Sequence, residues 1–126
     1  MLQIDRDFNK GYYTPPGFYG TAEYHRPTLA KRFIATDGVM FVFEEQKCYW
    51  LSDVMASYMK KYDAHESWFF TVDVVVKGST CDVVITDGNY NVVVKQHIGF
   101  TDLEKNLRFF IAQQDDLWVC MLPSEY

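Results

Sequence analysis

Hydrophobic and polar residues alternate most clearly between Trp68 and Ile98. In Trp68–Lys77, Phe70, Val72, Val74 and Val76 share one side while Phe69, Thr71, Asp73 and Val75 share the other, the two-residue period of a strand. Gly78-Ser79 turns the chain and Cys81–Thr86 returns it. Asp87-Gly88 supplies a second hairpin turn, and Val92–Ile98 closes a three-stranded meander. Upstream, Val39–Glu45 (VMFVFEE) alternates Phe41 and Phe43 against Met40 and Val42 and reads as a further strand, entered through an Asp37-Gly38 turn. Tyr49–Tyr62 has a different period. Leu51, Met55, Tyr58 and Tyr62 recur at helical spacing, Val54 widens the stripe, and Lys60 and Lys61 sit where cations complement a helix C-terminus.

The two ends of the chain are less regular. Gly11, Pro15, Pro16 and Gly17 punctuate residues 1–17, predicting an irregular N-terminal arm, and Phe18–Arg26 reads as a strand or a helical turn stopped by Pro27. Thr101-Asp102-Leu103-Glu104 has the form of a capping box and predicts the start of a helical turn. Beyond it, Leu107–Gln113 and Leu117–Leu122 read as a hairpin turning at Asp115-Asp116, with a helix over 102–114 as the alternative. The elements add up to an α+β fold: an antiparallel β-sheet of about five to seven strands with one main helix packed on a face. No linker or composition break divides the 126 residues, so a single domain is expected, an arm at 1–17 and a core at 18–126.

Charge and cysteine usage narrow the chemistry. The net charge of −5 argues against direct nucleic-acid binding, since the adjacent basic pairs Lys31-Arg32 and Lys60-Lys61 are too few for a phosphate-tracking groove. Cys48, Cys81 and Cys120 are odd in number, form no CxxC and sit among apolar neighbours, which predicts buried free thiols and a cytoplasmic protein. The start MLQIDRDFNKG has no apolar leader and no run approaches a membrane span, so no membrane association is expected. His25, His65 and His97 show no metal-ligand spacing, and Asp63-Ala64-His65-Glu66 reads as a polar loop, so neither metal nor cofactor is expected. Ser52 lacks a nucleophile elbow, an Asp53–Asp73 pairing is not dictated by sequence, and the two Thr-Asp-Gly segments read as turn chemistry rather than ligand loops. No catalytic residue is assigned.

Several short segments, taken in order, resemble a family of small uncharacterised bacterial and phage proteins. They are Phe18-Tyr19-Gly20-Thr21 with Tyr24 and Arg26, Thr36-Asp37-Gly38-Val39, Tyr49-Trp50-Leu51-Ser52-Asp53, Thr86-Asp87-Gly88-Asn89, Thr101-Asp102-Leu103 and Leu122-Pro123-Ser124-Glu125-Tyr126. The resemblance covers nearly all of the chain after residue 17 and implies a fold and a phage or mobile-element setting, but no catalytic residue.

The aromatic content of 17% exceeds what one small core needs. The arm YYTPPGFYG concentrates Tyr12, Tyr13, Phe18 and Tyr19, residue types that give interfaces contact area at low rotamer entropy, and these four are the candidate interaction residues. The leading functional expectation is therefore a non-enzymatic protein-interaction module with a protein partner or a second copy of itself. The alternatives are a small enzyme or small-molecule binder with a helix–sheet pocket, and an acidic inhibitor of a nucleic-acid enzyme.

Overall fold

A computed structural model describes residues 11–62 and 68–126. Seven strands form one sheet: β1 (Tyr24–His25), β2 (Phe33–Thr36), β3 (Phe69–Lys77), β4 (Thr80–Asp87), β5 (Val92–Ile98), β6 (Leu107–Gln114) and β7 (Leu117–Met121). The described residues also form two helices, α1 (Asp37–Glu45) and α2 (Trp50–Met59), and short 3-10 turns at Lys60–Tyr62 and Pro123–Glu125. The strand order is β1-β2-β7-β6-β3-β4-β5. All neighbours run antiparallel except β2 and β7, which pair in parallel through Phe33↔Trp118, Ile34↔Val119 and Ala35↔Cys120. The sheet is thus mixed, not purely antiparallel as its sequence pattern suggests.

The meander and the terminal hairpin stand where the alternation puts them. Gly78, at φ +62°, allows the tight β3–β4 turn. The β4–β5 turn is held by Asp87, whose Oδ1 accepts from Asn89 N (2.8 Å) and Asn91 N (3.0 Å). Gln114 pairs with Leu117 across Asp115-Asp116, which excludes the alternative helix over 102–114. Among the described residues Thr101–Glu104 forms no helical turn: Thr101 Oγ1 accepts from Leu103 N at 3.2 Å and Thr101 N donates to Ser79 O at 2.7 Å, so the segment is a side-chain-closed turn pinned to the β3–β4 loop.

The principal correction concerns residues 39–45, which form α1 rather than a strand. Val39, Val42 and Phe43 are buried at helical spacing while Phe41 and Glu44 are exposed. Thr36 caps the helix, its Oγ1 accepting from Val39 N at 3.4 Å, and Asp37 places a carboxylate in the positive first turn. Lys47, at φ 55°, ends it, with Cys48 N donating to Phe43 O. Among the described residues there are accordingly two α-helices where the sequence pattern gives one.

Both helices lie on one face of the sheet. There Leu51, Met55 and Met59 of α2 and Val39, Val42 and Phe43 of α1 bury against Phe70, Val72, Val74, Phe109, Ile111 and Trp118. The predicted stripe of α2 holds at Leu51 and Met55, with Val54, Tyr58 and Tyr62 at its half-buried flank. The opposite face carries a second apolar cluster of Ile34, Phe110, Ala112, Val119 and Met121 with Phe69 and Leu117 beside it, and neither of the two described α-helices contributes to it. Cys48, Cys81 and Cys120 are free and buried. Among the described residues no helix is long and apolar enough to cross a membrane. The Asp63-Ala64-His65-Glu66 loop and the first ten residues of the arm lie outside the described residues.

Candidate functional site: the outer sheet face

The outer face takes its side chains from alternate positions of the strands. β3 contributes Phe69, Thr71 and Asp73, and β6 contributes Arg108, Phe110 and Ala112 directly opposite them in register. The C-terminal turn lays Tyr126 over this row, with ring centroids 5.3 Å from Phe69 and 5.5 Å from Phe110. Phe69 and Phe110 themselves stand 5.0 Å apart. Trp68 extends the cluster at 5.6 Å from Phe69. Edge-to-face aromatic contacts of this kind are worth about 0.5–1.5 kcal/mol each beyond area burial.

Two shallow clefts meet at Tyr126. One, of about 480 Å³, runs from Phe69 and Phe110 to Tyr90 and the Asp73–Arg108 pair; the other, of about 320 Å³, runs past Trp68, Met121 and Gln113 to Tyr24. Trp68 (55% exposed), Tyr24 (53%) and Tyr126 (68%) present their rings to solvent along this groove. At its polar end Arg108 grips Asp73 in a two-pronged ion pair, Nε–Oδ1 2.6 Å and NH2–Oδ2 3.2 Å, and the Tyr12 ring lies 4.2 Å from the guanidinium. Burial alone would lower the Arg108 pKa; the hydrogen bond and charge of Asp73, aided by Tyr12, outweigh it and raise it. Thr71 and Thr86 bond each other across β3 and β4. Thr71, Asp73, Thr86, Asp87 and Arg108 are thus each tied to a neighbour, which suits recognition by shape and apolar contact.

A second polar constellation lies beside the groove, at the N-terminus of α1. Glu125 reaches back from the C-terminal turn, its Oε1 accepting from Thr36 Oγ1 (2.6 Å) and Leu122 N (2.9 Å) and its Oε2 from Gly38 N (3.0 Å). Asp37 accepts from Ala22 N (3.0 Å), bonds His25 Nε2 (2.7 Å), and its own N–H donates to Thr21 Oγ1 (2.9 Å). Segments far apart in sequence, Thr21–His25, Thr36–Gly38 and Leu122–Glu125, thereby form one staple. Glu23, His25 and Asp37 bring three ligand-type atoms within 4.8 Å of one another. The His25 and Asp37 atoms are bonded to each other, and three donors are one fewer than a closed structural zinc site uses.

Hydrogen bonding holds three carboxylates below their ordinary range: Asp37 chiefly through His25, Asp82 chiefly through His97, and Asp87 chiefly through the backbone of Asn91. A folded pKa below the unfolded value of about 4 supplies stability that is complete above that pH and is lost as the pH falls through the lower folded values. The urea midpoint should therefore drop below about pH 4, and Asp87→Asn should flatten that drop. An unchanged acid limb in the variant would remove Asp87 from this account.

Burial disfavours the thiolate at all three cysteines. Burial pushes Cys48 up to about 12, raises Cys120 well above the ordinary thiol value and raises Cys81.

The arm residues are placed unevenly. Tyr13 bonds Glu45, lies under Lys105 and packs on the core, and its N–H donates to Asn106 O. Phe18 stacks on Phe41 at 5.2 Å. Tyr12 covers Arg108, while Tyr19 is 81% exposed. Of the four candidates, three therefore touch the chain's own domain. The outer-face rings Trp68, Tyr90 and Tyr126 were not singled out by the sequence, because strand alternation shows that two faces exist but not which one the helices cover.

Residues 16–126 match DUF6876, a family of unknown function. The chain belongs to that family. The match begins just inside the arm, so Tyr12 and Tyr13 fall outside the DUF6876 segment and Phe18 and Tyr19 within it. A crystal structure of a protein of unknown function from Enterococcus faecalis superposes on this DUF6876 chain with a TM-score of 0.56 at 15% identity, covering 82% of this chain and 98% of that one. That likeness is one of fold. A search of the curated proteins finds no match.

Proposed function

We propose that the protein is a non-enzymatic interaction module that docks a protein partner on the outer face of its sheet, as an accessory factor of a phage or mobile element acting on a host or self partner. The observation that carries this reading is the set of exposed rings Trp68, Tyr24 and Tyr126 that rims the apolar cluster around Phe110, Val119 and Met121, on the face opposite the two described helices. Exposed Trp and Tyr are the residue types that dominate interface hot spots. Charge mimicry is less well supported, because Asp37, Asp73, Asp82 and Asp87 are each engaged by a His, an Arg or backbone N–H groups. The arm is the second candidate contact, through Tyr19.

The test is affinity capture from the native host with the full chain, compared with Trp68→Ala, Tyr126→Ala and Tyr19→Ala. Loss of a hot-spot ring costs about 2 kcal/mol or more of binding, roughly a thirtyfold drop in affinity. Trp68→Ala and Tyr126→Ala should release the captured partner, or dissociate a homodimer in light scattering. Retention of the same partner by both variants would remove the outer face from the proposal, and loss with Tyr19→Ala alone would move the contact to the arm.

A further inference from the structure

The cleft that runs from Phe69 to Tyr90 is walled by rings that the core does not use up. Tyr90 and Tyr126 line it and are 51% and 68% exposed, and Phe69 beside Tyr126 is half-buried. Its volume of about 480 Å³ falls within the span of small-ligand sites, roughly 300 to 1,000 Å³. Backbone bonds set the position of Tyr90. Its N–H donates to Asp87 O at 3.1 Å, and Asp87 N donates to Asn91 O at 2.9 Å. Within this turn Tyr90 takes φ 67°, a left-handed conformation that a bulky aromatic residue rarely adopts. Gly or Asn fills such a position with less strain, so the turn bears a cost in presenting a ring at the cleft.

The lining carries one more acid than base. Arg108 and Asp73 offset each other in their two-pronged pair. Asp87 has no cation within 4 Å among the described residues; the donors it meets are neutral N–H groups of Asn89 and Asn91. Those bonds hold its carboxyl below the ordinary range, so it is ionised at neutral pH. An unbalanced negative charge beside low-dielectric walls gives the hollow a negative field, and the faces of aromatic rings add to it through their quadrupoles.

The field selects a cation, and the hydrogen bonding selects which kind. Thr71 and Thr86 bond each other, and the carboxylates of Asp73 and Asp87 already accept bonds from the chain. A primary ammonium or a guanidinium carries several N–H groups that must be paired when they leave water. A quaternary ammonium carries none, and its charge is spread over methyl groups that pack against rings. We infer that this cleft binds a quaternary ammonium group, its methyls against Phe69, Tyr90 and Tyr126 and its charge beside Asp87. Such a head group occurs on small choline-like molecules and on trimethylated lysine side chains. The site shares Tyr126 with the outer-face docking surface but does not need a protein docked there, and Trp68 and Tyr24 line the neighbouring cleft.

Two-dimensional NMR titration of the full chain tests it, with choline, the neutral tert-butyl analogue of choline, ethanolamine, and a short peptide bearing trimethyllysine. Choline or the peptide should bind saturably at one site, with the shifts gathered at Phe69, Tyr90 and Tyr126, and the tighter of the two tells a free ligand from a modified side chain. The tert-butyl analogue keeps the shape without the charge, and ethanolamine keeps the charge without the methyls. Each should bind at least fivefold more weakly. Tyr90→Leu should lose at least fivefold in affinity for the quaternary ligand. Tyr90→Phe should keep it, because the ring face and not the hydroxyl makes the contact, and Tyr24→Ala should keep it too. Absence of saturable shifts with both quaternary ligands overturns the site. So does equal binding of the neutral analogue or of ethanolamine, or a folded Tyr90→Leu protein with full affinity. Partner capture by the Trp68→Ala variant is read separately, so failure of the docking surface and failure of this site are distinct results.

Discussion

Gly38→Ala should destabilise the protein by about 2–4 kcal/mol, although alanine is the better helix former by about 1 kcal/mol. Gly38 is in the first turn of α1, facing the C-terminal turn. A Cβ there would stand 2.7 Å from Leu122 Cδ1 and 2.8 Å from Glu125 Cδ and Oε1. Leu122 is buried, 3% exposed, and the Glu125 carboxylate is fixed by Thr36 Oγ1, Gly38 N and Leu122 N. Neither neighbour moves without loss. Overpacking costs about 1–3 kcal/mol, and each hydrogen bond to the charged carboxylate is worth about 1.5–3 kcal/mol. Together these exceed the propensity gain. Urea unfolding of the variant measures the change. A double variant that also carries Glu125→Ala should show a smaller Gly38→Ala penalty than the wild-type background, because the two groups share the clash. A Gly38→Ala protein as stable as wild type would mean that the C-terminal turn does not bear on α1.

The same residues show why α1 was hidden in the sequence. Val39–Phe43 satisfies an alternating template and a helical one at once: Val39, Val42 and Phe43 suit a helix face as well as Phe41 and Phe43 suit a strand face. The deciding groups are a cap at Thr36 and a carboxylate at Glu125, the latter 89 positions from Thr36. Only the cap was local, and Asp37-Gly38 beside it is an equally good turn. Strand β2 is masked in the sequence pattern for another reason. Phe33–Thr36 is buried on both faces between β1 and β7, so it has no polar alternate positions to mark it. The meander β3–β5 and the β6–β7 hairpin were readable because each couples alternation to a turn residue at its end.

The site followed the same division. The ring content announced surface aromatics, but their location depended on which sheet face the two helices take, and that choice rests on long-range pairing such as β6 with β3 and β2 with β7. The basic pairs Lys31-Arg32 and Lys60-Lys61 were visible as isolated doublets. Only the approach of the end of α2 to strands β2 and β7 brings Lys60 near Lys31 and Arg32.

Leu51→Ala should cost about 2–5 kcal/mol, the range for deleting most of a buried leucine. Leu51 is fully buried near the start of α2, in the cluster that includes Phe43 of α1 and Phe109 and Trp118 of the sheet, so its side chain joins both helices to the central strands. Its surroundings decide where in the range the value falls. Met55 and Met59 are flexible and relax into part of the void, whereas the tilted ring contact of Phe43 with Phe109, centroids 5.7 Å apart, resists collapse. For a chain of this length each kcal/mol corresponds to roughly 3–5 °C in melting temperature. The exposed Ser57 on the same helix provides the control, because Ser57→Ala should stay within about 0.5 kcal/mol of wild type. Leu51→Ala within that same margin would mean that the helix packs through its Val54–Tyr58 flank instead, and would reverse the face assigned to α2.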